Sequence, residues 1–168
     1  IVTFGITEKN VPDAPVITEP FNYEKVPTTT PSFDFSVTEP NNDDVSFEIR
    51  WSTDNTFATG VTVRSSDTDA GFQNLDTPAD TDPFNEGENM RFTIQAADAL
   101  INSESYWYQI RARDPLDANV FGDWSQRRSL TVDTSVTNST WHQTTDEQFD
   151  EESMFTGTES SGSDSVIS

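Results

Sequence analysis

SYWYQIRARDPLDANVFGDWSQRRSLTV, residues 105–132, decides how this 168-residue chain is read. Tyr106, Tyr108, Ile110 and Ala112 alternate with Trp107, Gln109, Arg111 and Arg113, so a strand through here has one apolar face and one polar, aromatic face. Residues 129–132 form a second strand, and the turn-rich DPLDANVFGD lies between the two. An apolar strand face has to be covered by another layer, so the stretch predicts one side of a two-layer β structure.

The same alternation recurs upstream. Phe33, Phe35 and Val37 share one face of residues 31–37, and Val45, Phe47, Ile49 and Trp51 share one face of residues 45–51. Val61, Thr62 and Val63 form a shorter candidate strand, and Met90, Phe92 and Ile94 restore the pattern further on. Phe33, Phe35, Phe47, Ile49, Phe92, Ile94, Tyr108 and Ile110 are read as core, with Trp51 either core or a plug at the end of its strand. EPNNDD, residues 39–44, is an acidic turn-rich loop. Residues 65–89 hold few apolar side chains and many Asp, Asn, Gly and Pro, which predicts a long loop. Short strands set between turns, with no helical period, predict an all-β antiparallel sandwich.

The ends differ from the middle. Val2, Phe4 and Ile6 alternate within residues 1–7, and KNVPDAP at 9–15 reads as a linker. Beyond Val132 the chain is rich in Ser, Thr, Asp and Glu, with Trp141, Phe149, Met154 and Phe155 as isolated apolar positions. The expected organisation is an N-terminal strand and linker (1–14), a sandwich (15–133), and a polar C-terminal tail or the start of a further module (134–168). An opening at Ile1 without a basic, apolar leader predicts a processed product or a segment of something longer.

Nine basic residues against 30 acidic ones give a net charge of −21, which repels phosphate backbones and anionic bilayers. Nucleic acid and membrane insertion are therefore not expected, and no apolar run approaches the roughly 18 residues that span a bilayer. A halophilic or marine source and an acidic extracellular loop surface account for this charge equally well. Hydrophobic content of 32% and a mean hydropathy of −0.64 predict one core with much solvated loop. Cysteine is absent, which excludes disulfides and thiolate metal sites.

Four stretches fall in a telling order: Glu39-Pro40-Asn41-Asn42-Asp43-Asp44-Val45, Ser52-Thr53-Asp54-Asn55-Thr56-Phe57, residues 106–114, and Trp124-Ser125. Together they resemble the fibronectin type III-like repeats of large secreted, cell-surface and virion proteins, over roughly residues 15–133. The resemblance implies an Ig-like β-sandwich and makes Tyr106, six residues after Leu100, a tyrosine-corner residue whose hydroxyl bonds nearby backbone. The long loop at 65–89 departs from the pattern, and the last 36 residues lie outside it.

One histidine, His142, and no thiol leave the Ser-His-Asp and Cys-His arrangements without support, so no enzyme activity is expected. Calcium is the one cofactor considered: Asp67 with Asp69, Asp80 with Asp82, and Asp43 with Asp44 offer hard oxygen ligands, although none completes an EF-hand loop and solvated loops explain them too. Arg111 and Arg113 share a face with Trp107, and Trp124 is expected on the adjacent last strand. These side chains form either a structural ladder of guanidinium on indole or an aromatic patch for carbohydrate or protein. Asn138-Ser139-Thr140 is a glycosylation sequon.

The function expected is an extracellular structural module, a subunit or segment of a filament, surface layer or virion. Its partners would be other copies of itself or other structural proteins. The Val2, Phe4, Ile6 strand, or the segment around Trp141 and Phe149, would add to a neighbour's sheet edge. The alternative is an adhesin or a carbohydrate- or protein-binding module that recognises a glycan or cell-surface ligand through residues 65–89.

Overall fold

A computed structural model describes residues 11–117 and 119–137, with the backbone of 140 and 141. Ten strands follow in order: β1 Val16–Glu19, β2 Glu24–Val26, β3 Ser32–Ser36, β4 Ser46–Ser52, β5 Thr62–Ser65, β6 Phe72–Asn74, β7 Met90–Thr93, β8 Ser105–Arg113, β9 Arg128–Val132 and β10 Thr140–Trp141. The only helix among the described residues is a single 3-10 turn, Ala96–Asp98.

The strands form two sheets, one in the order β1-β3-β7-β6 and the other in the order β10-β2-β9-β8-β4-β5. All pairings are antiparallel except β2 with β9. The fold is thus the all-β sandwich expected. The apolar positions of the runs at 31–37, 45–51, 90–94 and 106–112 point inward, with Phe33, Val45, Ile49, Met90, Phe92, Tyr108, Ile110 and Ala112 fully buried, whereas Val63 of β5 is exposed.

Aromatic rings lock the layers together. Phe33 of β3 meets Tyr108 of β8 at 4.7 Å, Phe35 meets Phe47 of β4 at 5.0 Å, and Trp51 meets Phe92 of β7 at 6.0 Å. Each such pair adds about 0.5–1.5 kcal/mol beyond the area it buries. Trp51 is therefore core. The phenol of Tyr108 still finds a partner, donating to the Pro20 carbonyl at 2.8 Å, and burial pushes its pKa up.

Several expectations need correcting. β1, β2 and β6 were not anticipated, because each is only three or four residues long and buries at most two side chains. Residues 11–15 are no free linker. Pro12 and Pro15 are buried, the Asp13 N–H donates to the Thr38 carbonyl at 3.1 Å, and a Cβ on Gly122 would lie 2.3 Å from the Pro12 carbonyl oxygen. That close approach requires glycine at 122. The stretch 65–89 is no simple loop, since it supplies β6 and sends Phe84 into the core, where its backbone bridges Val45.

At the other end, Trp141 pairs with Glu24 and Thr140 with Lys25 of the same chain, so this part of the tail continues its own sheet. Val2, Phe4, Ile6, Asn138, His142 and Phe149 lie outside the described residues.

Candidate functional site

The outward face of the six-stranded sheet carries the densest array of charged and aromatic side chains. On β4 the outward residues include Glu48 and Arg50, and on β8 they are Trp107, Gln109, Arg111 and Arg113. The register sets Glu48 opposite Arg111 and Arg50 opposite Gln109. The segment after the β8 turn runs back beside β8. The Gly122 N–H donates to the Ala112 carbonyl at 2.9 Å, the Ser125 N–H donates to that of Ile110 at 2.7 Å, and the buried Ser125 hydroxyl accepts the Ile110 N–H.

This return path lays Phe121 and Trp124 across the arginines. Rings and guanidinium groups alternate along a line: Phe57 to Arg50 at 4.2 Å, Arg50 to Trp124 at 4.0 Å, Trp124 to Arg111 at 4.3 Å, Arg111 to Phe121 at 4.3 Å, and Phe121 to Arg113 at 5.4 Å. Each contact is worth about 0.5–1 kcal/mol when exposed and about 2 when desolvated.

Polar groups fix the guanidinium planes from the sides. Arg50 donates to Gln109 Oε1 at 2.7 Å, Arg111 Nε donates to Glu48 at 2.5 Å, and Arg113 donates to Asn119 Oδ1 at 2.6 Å and to Asp67. Burial, and then the neighbouring Arg111 charge, lower the pKa of Arg50.

The predicted ladder members are therefore only partly brought together. Arg111, Arg113 and Trp124 belong to the ladder, although Trp124 sits ahead of β9 rather than on it. Trp107 does not join them, lying at the far end of β8, edge-on to Tyr23 at 6.2 Å and under Arg127 at 5.2 Å. Arg50, Phe57 and Phe121 were not expected in the ladder. Arg50 was detectable, because it lies between the inward Ile49 and Trp51 and so must point outward beside β8. The Tyr106 hydroxyl accepts the Ile101 N–H at 3.0 Å.

The six candidate calcium ligands do not gather into one site. Asp67 binds Arg113 and the Ser65 hydroxyl, while Asp69 accepts the Ser65 N–H at 2.9 Å. Asp80 accepts from Asn74 Nδ2 and the Asn85 N–H, both at 2.9 Å. Asp43 gives its N–H to the buried Glu39, whose carboxylate also accepts the Asn41 N–H, and Asp44 follows it half-buried at the end of that loop.

Asp82 accepts the Ser46 hydroxyl at 3.1 Å and that of Ser66, close enough to Asp67 that the two carboxyls interact. Burial, reinforced by Asp67, raises the pKa of Asp82. Burial acts the same way on Asp67, but Arg113 and Ser65 outweigh it and hold that group below its ordinary value. Among the described residues no three acidic or histidine side chains gather where a metal ion could be held, and no helix is long and apolar enough to cross a membrane.

The remaining cluster is built around Asn74, which is completely buried. Its Oδ1 accepts the N–H groups of Asp76 and Thr77 at 3.0 and 2.9 Å, and its Nδ2 donates to Asp80 and Glu88. Asp76 in turn accepts the Asn89 N–H at 2.7 Å. One amide thereby orders an acid-rich surface. No protein-family model matches the chain, and no curated protein matches it either.

Proposed function

We propose that this chain is a non-enzymatic structural module of an extracellular assembly, a subunit or segment of a filament, surface layer or virion, built on a fibronectin type III-like repeat. The observation that carries this reading is the arginine–aromatic ladder. The side chains best suited to grip a ligand are held instead in cross-strand contacts that stiffen the sheet. The strand order supports the family assignment: β1, β3, β7 and β6 facing β9, β8 and β4 follow the A, B, E, D over G, F, C order of immunoglobulin-type sandwiches, with β5 added at one edge and β2 and β10 at the other. The bond from the Tyr106 hydroxyl to backbone five residues upstream supports it too.

Copies associate when the strand containing Val2, Phe4 and Ile6 adds to a free edge, of which β5 offers four residues with Val63 exposed. Deleting residues 1–7 should abolish assemblies seen by electron microscopy while the thermal unfolding of the sandwich stays unchanged. Assemblies that form normally without those residues would remove the arm.

Recognition of a glycan or cell-surface protein is the second reading, favoured by the Asn74 cluster, since an ordered loop surface costs less entropy to bind with than a mobile one. Glycan and cell-surface arrays probed with the wild type and a variant whose exposed 76–79 stretch is replaced, leaving β6 and Phe84 in place, separate the two. Binding that disappears with the loop favours recognition.

A further inference from the structure

We propose that the turn between β1 and β2 is a binding site for an uncharged, β-linked oligosaccharide, which lies across Phe21 and Tyr23. The site is separate from the assembly reading above and from the Asn74 surface, since β1 and β6 form opposite edges of their sheet. Exposure is the first argument. Among the described residues Phe21 and Tyr23 are the only aromatic side chains left exposed, each at 52%. Phe21 lines a groove of about 550 Å³ with Asn22, Gln126 and Arg128, and also a second cleft of about 520 Å³ that includes Glu19, Thr28 and Asp34. Both fall within the roughly 300–1,000 Å³ of small-ligand sites.

The turn fixes these rings before any ligand arrives. The Tyr23 N–H donates to the Ser129 carbonyl at 2.8 Å, Asn22 Oδ1 accepts the Ser129 N–H at 2.9 Å, and the Glu24 N–H closes the turn on the Phe21 carbonyl at 3.1 Å. Tyr23 sits at φ 66°, in the left-handed region that bulky side chains seldom adopt and that clusters at ligand-binding positions. Its ring meets Trp107 edge-on at 6.2 Å, which braces it against β8. Rigid rings lose little entropy on binding.

The polar groups beside the rings suit hydroxyls. Among the described residues the Gln126 side-chain amide has no hydrogen-bond partner, and Asn22 uses only its oxygen, so its NH₂ is left to donate. The carboxylates of Glu19 and Asp34 in the second cleft accept. A pyranose with equatorial hydroxyls offers a flat C–H face to the negative face of an aromatic ring, and a rim that both donates and accepts. Charge then selects an uncharged chain. On a molecule of −21, the surroundings of Phe21 balance: Glu19, Glu24 and Asp34 against Arg91, Arg127 and Arg128. Arg91 pairs with Asp34 at 2.6 Å, and Arg128 acts electrostatically on Glu19. This patch gives a cation no unpaired carboxylate to seek, while the wider surface repels sulfated or carboxylated glycans.

NMR titration of the isotope-enriched full chain with cellopentaose and with xylopentaose tests this. The backbone amides of Asn22 and Tyr23 and the side-chain amide of Gln126 should shift saturably with at least one pentaose at millimolar concentration. The shifts should vanish in Phe21→Ala/Tyr23→Gly, which stays folded because both rings are exposed and glycine suits the φ at 23. They should survive replacement of residues 76–79, which separates this site from recognition by the Asn74 surface. No saturable shift with either sugar overturns the proposal, as does an equal response in the double variant or a response lost with 76–79. Tighter binding of pentagalacturonate overturns it too. So do shifts that follow protein concentration and not sugar, which would put a second copy in the groove.

Discussion

Removing the indole of Trp124 tests the ladder most directly. Trp124→Leu keeps apolar cover over the sheet but deletes the ring that Arg50 and Arg111 face at 4.0 and 4.3 Å. Trp124 is half-buried, so each contact should lie between the exposed and desolvated limits, near 1 kcal/mol, and the pair near 2 kcal/mol. For a domain of this size that corresponds to a fall in Tm of about 6–10 °C. Urea unfolding should show a lower midpoint with an unchanged slope.

Arginine variants then apportion the loss. Arg111→Met strands Glu48, whose side chain is 17% exposed, whereas Arg50→Met frees only the neutral Gln109 and relieves the repulsion that lowers the Arg50 pKa. Arg111→Met should therefore cost more than Arg50→Met. Double-mutant cycles of each with Trp124→Leu should return a coupling near 1 kcal/mol. Couplings indistinguishable from zero for both arginines, or the reverse ranking, would refute the reasoning.

Gly122→Ala pushes a methyl group against the Pro12 carbonyl, and either the overpacking costs about 1–3 kcal/mol or residues 11–13 lift away. A variant that unfolds like the wild type with its Asp13 amide still protected from exchange contradicts this. Asp82, raised above the ordinary 3.8, contributes stability that is full below that value and is lost as pH rises through the higher folded value. Asp82→Asn, neutral throughout, should gain stability relative to the wild type between acid and neutral pH, and a flat difference between the two unfolding curves would refute the assignment. Calcium titrated into EDTA-treated protein should give only weak, salt-screened heats, because among the described residues no three acids gather and Asp67, Asp69, Asp80 and Asp82 already hold hydrogen-bond partners; a stoichiometric, tight transition would overturn that.

What could be read from the sequence follows from how much each element buries. Strands with one face fully in the core, such as Val45 to Trp51 or Tyr106 to Ala112, declare themselves by period. β1 buries only Ile17 of its four residues, and β2 buries a charged Glu24, so neither pattern could be seen. Phe84 looked like a lone aromatic in a polar loop because its partner, Val45, is 39 residues away. The ladder was half visible: the arginines of β8 lie two residues apart in sequence, but Arg50 and Phe57 come from another strand and its following turn, and only the register joins them. The acid pairs suggested calcium because spacing along the chain cannot show that hydroxyls, amides and Arg113 already hold those oxygens.

The way the bases are tied down has a consequence for how two such molecules meet. With five of the eight described cations neutralised locally and −21 on the whole, the exterior behaves as a polyanion. Its field extends about 30 Å in 0.01 M salt and about 8 Å under physiological conditions. In dilute buffer, neighbours are held off beyond the reach of any hydrogen bond. In brine, mobile counterions collapse that barrier and a bare backbone edge such as β5 comes within range, so salinity acts as the gate on encounter.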